Sequence, residues 1–199
     1  YTQICSSTCG AAYIEKKEGI LFHRFTKEQE RIYLDARPQL TQIKSTAGIV
    51  LSFRTDSDFL ELNISVEEAT LRRFFSFDVF ANGKLVGCLD NFGLEEKTDY
   101  LEGDYSLGHF QKRFQLDSGE KTVEIYFPWS VKAMIYGLIL ADGAFFEPPK
   151  PGKTLLVFGD SITIGENVKR PSNRYCAKLA KALGAQEFNK AIGGEHYCP

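Results

Sequence analysis

Ser161 closes the tripeptide Gly159-Asp160-Ser161, which follows the uninterrupted apolar run Thr154-Leu155-Leu156-Val157-Phe158. A serine hydroxyl can attack an acyl carbonyl, provided that backbone N–H groups stand ready for the oxyanion that forms. The apolar run reads as a parallel-sheet strand covered on both faces, which delivers Ser161 beyond its carboxyl end, where open parallel sheets place their binding crevices. Gly159 lets the backbone turn tightly and approach its neighbours. Asp and Ser are also ordinary turn and helix N-cap residues, so the tripeptide alone leaves a purely structural reading open. A second chemical signal lies about thirty residues on, at positions 186–195: a short strand ending in Asn189, followed by the turn Gly193-Gly194.

Together these two stretches resemble the SGNH (GDSL-type) hydrolase family of esterases, lipases and carbohydrate deacetylases. The family's first block is an apolar strand ending in Gly-Asp-Ser, matched by Val157-Phe158-Gly159-Asp160-Ser161, and the resemblance makes Ser161 the nucleophile. Its second block has an asparagine after a strand and, five residues later, a glycine whose N–H joins the oxyanion hole, matched by Asn189 and Gly194. Ser161 and Gly194 are thus the expected oxyanion donors, supported by Gly159, Asp160 and Asn189. The remaining blocks, a Gly-x-Asn-Asp and an Asp-x-x-His that supplies the base, have no match here. His196 follows the oxyanion glycine too closely to take the place of that histidine. A serine without a base is a weak nucleophile, so this chain alone is expected to have little esterase activity. The substrate implied is a small acyl ester, with acetylated carbohydrate a candidate; no cofactor or metal is implied.

The elements that must position Ser161 and Gly194 follow from the pattern around them. Ser172 or Asn173 can cap a helix whose apolar positions Tyr175, Leu179, Ala182 and Leu183 share one face and which ends at Gly184. With a strand at 186–189 the unit is β-α-β, and a right-handed crossover makes its strands parallel, with Ser161 and Gly194 at their common carboxyl edge. Two strands and one helix cannot cover both faces of the first strand. The chain is therefore expected to be the amino-terminal part of a longer hydrolase, in a flavodoxin-like α/β domain. Its apolar faces would be covered by the preceding domain, paired in a homo-oligomer, packed against a carboxy-terminal remainder, or exposed.

Ahead of this unit the sequence period is two, not 3.6, and turn signals recur every eight to twelve residues, the mark of a sandwich or barrel. Strands are expected at 49–54, 59–66, 75–80, 84–89, 108–116, 121–127 and 134–140, with Asn82-Gly83 joining the third and fourth as a hairpin because both positions suit positive φ. Upstream, two short strands flank Lys17-Glu18-Gly19. Thr26 then starts a helix with the Thr-x-x-Gln spacing of a capping box, which ends before Arg37-Pro38. The fold class is mainly β: a jelly-roll-like antiparallel β-sandwich over 1–146, a Pro-rich linker over 147–153, and the hydrolase portion over 154–199. A sandwich ahead of the hydrolase domain also occurs in a subset of the family that includes carbohydrate esterases. Trp129 reads as a loop anchor, with a sugar platform as its alternative; Asp90-Asn91-Phe92 and Asp99-Tyr100 are further polar and aromatic loop positions. His23 reads as a packing or surface residue rather than a ligand, because no second His or carboxylate is placed to complete a site.

The 199 residues carry a net charge of −2 with 43% hydrophobic and 25% charged residues, at a pI of about 6.0. Scattered basic residues exclude a nucleic-acid footprint, and no apolar run reaches the ~20 residues of a membrane span. Five cysteines at 5, 9, 88, 176 and 198 form no Cys-x-x-Cys pair. They read as thiols of a cytoplasmic protein, with Cys5 and Cys9 in an exposed opening. The rival to the esterase reading is a carbohydrate- or partner-binding sandwich with a non-catalytic remnant.

Overall fold

A computed structural model describes residues 1–93, 103–150 and 152–195. The chain opens with α1 (Thr2–Ser6), β1 (Thr8–Cys9), β2 (Tyr13–Lys16), β3 (Ile20–His23) and α2 (Lys27–Ala36). The long strands follow as β4 (Val50–Thr55), β5 (Phe59–Glu68), β6 (Ser76–Ala81), β7 (Lys84–Asp90), β8 (Gly108–Gln115), β9 (Lys121–Tyr126) and β10 (Val131–Leu140). A final unit holds β11 (Lys153–Val157), the single turn α3 (Ser161–Ile164), α4 (Tyr175–Leu183) and β12 (Ala185–Asn189).

The first ten strands form two antiparallel sheets, ordered β1-β4-β9-β6-β7 and β2-β3-β10-β5-β8. They face each other because their alternating residues are apolar. Along β5, Leu60, Leu62, Ile64 and Val66 point inward. They meet Phe53, Phe77, Val79, Val123 and Ile125 from the opposite sheet in one buried core. Burying such side chains contributes roughly 1.5–3 kcal/mol each. Asn82 and Gly83 sit at φ 48° and 76°, as the hairpin between β6 and β7 requires. The capping box at α2 is also formed: Thr26 Oγ1 accepts from the Gln29 N–H at 3.2 Å, and Gln29 Oε1 accepts from the Thr26 N–H at 3.0 Å.

β11 and β12 pair in parallel, Lys153 opposite Ala185 through Val157 opposite Asn189. Glu147 ties the connection back to the sandwich by a double backbone bond with Arg54, N–H to O at 2.8 and 3.0 Å. Phe146 stacks on Phe53 with ring centroids 4.3 Å apart.

β11 is not covered on both faces: Leu155 and Val157 are half-buried, but Leu156 is 51% and the following Phe158 56% exposed. Among the described residues β12 is its one paired strand. α4 turns the other way from its large apolar stripe. It buries Cys176, Ala177 and Ala180 and leaves Tyr175, Leu179, Ala182 and Leu183 exposed, because the small side chains allow the close approach. Neither Ser172 nor Asn173 caps α4; Pro171–Asn173 is a 3-10 turn, and Arg174 precedes the helix without a side-chain cap bond. Ser172 instead gives its N–H and hydroxyl to the buried Asp78 carboxylate at 3.1 and 2.6 Å. The opening is α1 and β1, with Cys9 buried. His23 does meet carboxylates: Nδ1 lies 2.8 Å from Glu30 and Nε2 4.0 Å from Glu15, with Tyr13 stacked on the ring.

Stability should therefore be uneven. In urea unfolding, Phe53→Ala or Phe77→Ala is expected to cost about 3–5 kcal/mol. Leu156→Gln or Leu183→Gln should stay within about 0.5 kcal/mol, as for open surface positions.

Candidate active site

The carboxyl ends of the paired strands β11 and β12 carry the two chemical stretches to one edge. After β11 the backbone turns through Gly159, where a Cβ would lie 2.2 Å from Thr163 Oγ1, so only glycine allows the first turn of α3 to fold back this closely. Asp160 is the N-cap, its carboxylate accepting from the Ile162 N–H at 3.0 Å. Ser161 opens α3, half-buried. Its hydroxyl has no hydrogen-bond partner among the described residues.

After β12 the chain continues parallel to the segment that leads into the Ser161 turn, the Lys190 N–H donating to Val157 O at 2.8 Å and the Ile192 N–H to Gly159 O at 3.0 Å. Asn189, fully buried, braces this crossing. Its Nδ2 donates to Thr163 O at 2.8 Å and to Glu187 Oε1 at 2.9 Å, and its Oδ1 accepts from the Ala191 N–H at 3.0 Å. The Gly193–Gly194 turn that follows lies against the serine: a Cβ built on Gly193 would sit 3.5 Å from Ser161 Cβ. Gly194 is exposed at φ 78°. The structure thus brings Ser161, Gly159, Asp160, Asn189 and the Gly193–Gly194 turn together.

Trp129 is elsewhere in role. It is 3% exposed, packs edge-on to Phe74, and donates its indole N–H to Val168 O at 2.8 Å, which is the loop-anchor arrangement. Asn91 likewise serves backbone groups of Phe75, Arg73 and Ser106, and Phe92 is buried. Asp99, Tyr100 and His196 lie outside the described residues. Of the described histidines, His23 is engaged with Glu30 and Tyr13 and His109 leans on Tyr136 in the sandwich; neither contacts Ser161. Among the described residues no group of three or more His, Cys, Asp or Glu is placed to hold a metal ion, and no helix is long and apolar enough to cross a membrane.

The sandwich contributes what local sequence could not announce. Arg24, fully buried beside the end of β3, donates to Ser45 O and Oγ, Gln42 O, Asn189 O and Ala191 O at 3.0–3.1 Å. Burial, with the like charge of Arg174 adding to it, pulls its pKa down to about 9, so it stays cationic at neutral pH. Arg174 and Glu187 form a second buried pair at 2.7 and 2.9 Å. Gln42 reaches Gly193 itself. A cleft of about 720 Å³ runs from Gln39–Gln42 past Thr70, Arg72 and the Trp129 edge to Ile164, Glu166 and Gly193, and so abuts the Ser161 turn.

No family model matches the chain, and no curated protein does. Solved structures do. The salicylyl-acyltransferase SsfX3 from a tetracycline biosynthetic pathway aligns with a TM-score of 0.75 at 22% identity, over 94% of this chain and 52% of that one. A GDSL-like lipase from Bacteroides ovatus aligns at 0.69 and 18%, over 94% and 54%. A family two carbohydrate esterase from Clostridium thermocellum aligns at 0.55 and 13%, over 75% and 45%. The likeness is one of fold, and the chain spans about half the length of these structures.

Two outcomes follow from the buried Arg24 and the half-buried Lys190. Arg24→Lys keeps the charge but has three donors for five acceptors, and is expected to lower the urea-unfolding free energy by about 2–5 kcal/mol. Burial and the neighbouring Arg24 pull the Lys190 pKa down to about 8. The native state then binds fewer protons than the unfolded chain between that value and the ordinary lysine range, so stability rises with pH across it. The melting temperature of the protein, relative to that of Lys190→Met, should climb from pH 8 to pH 10; a flat difference would contradict the assignment.

Proposed function

We propose that Ser161 is the nucleophile of an SGNH-type acyl-ester hydrolase. The observation that carries this reading is the placement of Ser161 and the Gly193–Gly194 turn at the shared carboxyl edge of two parallel strands. Ser161 Oγ attacks the ester carbonyl while a base takes its proton. The resulting oxyanion is held by the N–H groups of Ser161 and Gly194. The carbonyl re-forms as the alcohol leaves with a proton, and water then releases the acid from the acyl-enzyme.

The described residues put no base against Ser161, so the reading needs one from outside them. The exposed apolar side chains Leu156, Leu179 and Leu183 offer surface on which the elements that deliver it would pack, from the same polypeptide or from a second copy. β11, α4 and β12 then form the start of a flavodoxin-like sheet. The strand orders β3-β10-β5-β8 and β4-β9-β6-β7 support a jelly roll for the sandwich. The cleft beside Ser161 would take the alcohol part of the substrate. Its amides, hydroxyls and carboxylates suit a polyhydroxylated group, in keeping with acetylated carbohydrate, and its volume lies within the usual range of ligand sites, roughly 300–1,000 Å³. A pure binding module finds less support: among the described residues the sandwich's exposed large aromatics are Tyr1 and Tyr136, not a ring of them.

The test is p-nitrophenyl acetate hydrolysis by this chain, by the full product of its gene, and by Ser161→Ala in each. Activity in the full product that falls on the order of 10³-fold or more in Ser161→Ala is expected. Activity that survives the substitution overturns the reading. Serine-dependent activity in this chain alone would place the base within its 199 residues.

A further inference from the structure

Gln42 belongs to the sandwich, in the 3-10 turn Thr41–Lys44, and lies 151 residues from the glycine it touches. Its side-chain amide uses both ends on that one residue. Oε1 accepts from the Gly193 N–H at 2.8 Å, and Nε2 donates to Gly193 O at 2.8 Å. The Gly193 carbonyl shares a peptide plane with the Gly194 N–H, and in a trans peptide the two point in opposite directions; no cis bond occurs among the described residues. Holding the Gly193 carbonyl on Gln42 therefore aims the Gly194 N–H away from the sandwich loop. Between two glycines this plane is otherwise free to rotate, since neither residue penalises positive φ. A rotated plane would present a carbonyl oxygen where an oxyanion needs a donor.

Gln42 is itself held, its own carbonyl accepting from Arg24 Nη2 at 3.0 Å while the same guanidinium holds Ala191 O at 3.0 Å. The amide fits so closely that a Cβ on Gly193 would lie 2.9 Å from Gln42 Oε1.

We infer that Gln42 is a positioning residue that locks the Gly193–Gly194 peptide with its N–H directed for oxyanion binding, which makes the sandwich part of the catalytic apparatus. The inference rests on the esterase reading of Ser161.

Gln42→Met fills nearly the same volume without either hydrogen bond. In the full gene product it should lower kcat for p-nitrophenyl acetate by about 10–100-fold with KM within about twofold, since a donor is misaimed while substrate still binds. The inhibition constant of a trifluoromethyl ketone, which forms a tetrahedral oxyanion on serine, should rise by the same factor, with the melting temperature unchanged. Gln42→Glu, which keeps the acceptor for the Gly193 N–H but sets a carboxylate against Gly193 O, should fall below Gln42→Met. In this chain by itself, the Gly194 amide NMR signal should shift in Gln42→Met. Wild-type kcat in Gln42→Met, an unmoved Gly194 signal, or a loss confined to KM or tracking unfolding would each overturn the inference. If Ser161→Ala abolishes activity while Gln42→Met is fully active, only this inference fails; if Ser161→Ala stays active, the esterase reading fails first.

Discussion

The arrangement depends on one buried guanidinium. Arg24 has five N–H donors and all five are used, on acceptors from the 42–45 turn of the sandwich and from residues 189–191 at the end of β12. Withdrawing a cation from water is costly unless every donor finds a partner. That condition is met only when sandwich and terminal unit sit in one relative position, because neither supplies enough acceptors alone. The cost of burial thus acts as a registration device. It sets the loop bearing Gln42 against the glycine turn and, through the bond from Asn189 to Thr163 O, against α3.

Around this hub the contact between the two units is polar at its edges and apolar between. Asp78, Ser76 and Asp90 of the sandwich take Ser172 and Arg170 of the terminal unit. Ala47, Phe74 and Trp129 from the sandwich loops close over Ile164 and Ala191. A two-stranded parallel sheet with one short and one medium helix buries too little to stand alone, so its order is borrowed from the sandwich. The site lies on that boundary, with its cleft walled by both units.

The elements that were legible in the sequence were those whose cause is local. Asn82-Gly83 carries its own backbone preference; Thr26 and Gln29 satisfy each other across one helical turn; the two-residue period of β5 is the burial pattern itself. The misread features are those in which a distant group made the choice. Ser172 reads as a helix cap until Asp78, 94 residues away, takes both its donors. The apolar stripe of α4 reads as buried, but the contact goes to the small side chains that let the helix approach. The run at 154–158 has the composition of a doubly covered strand, which composition cannot tell from a strand with one open face.

The sequence by itself determined the period-two sandwich, the hairpin, the capped helix, and the strand that hands Ser161 to a turn, because each is a matter of residues within a few positions of one another. Only the tertiary structure decided which glycine lies against the serine, which faces of β11 and α4 are open, and that Arg24 and Gln42 reach across more than 150 residues to hold the segment from Asn189 to Gly193. Those outcomes rest on how buried donors find acceptors in three dimensions, and sequence separation carries no record of it.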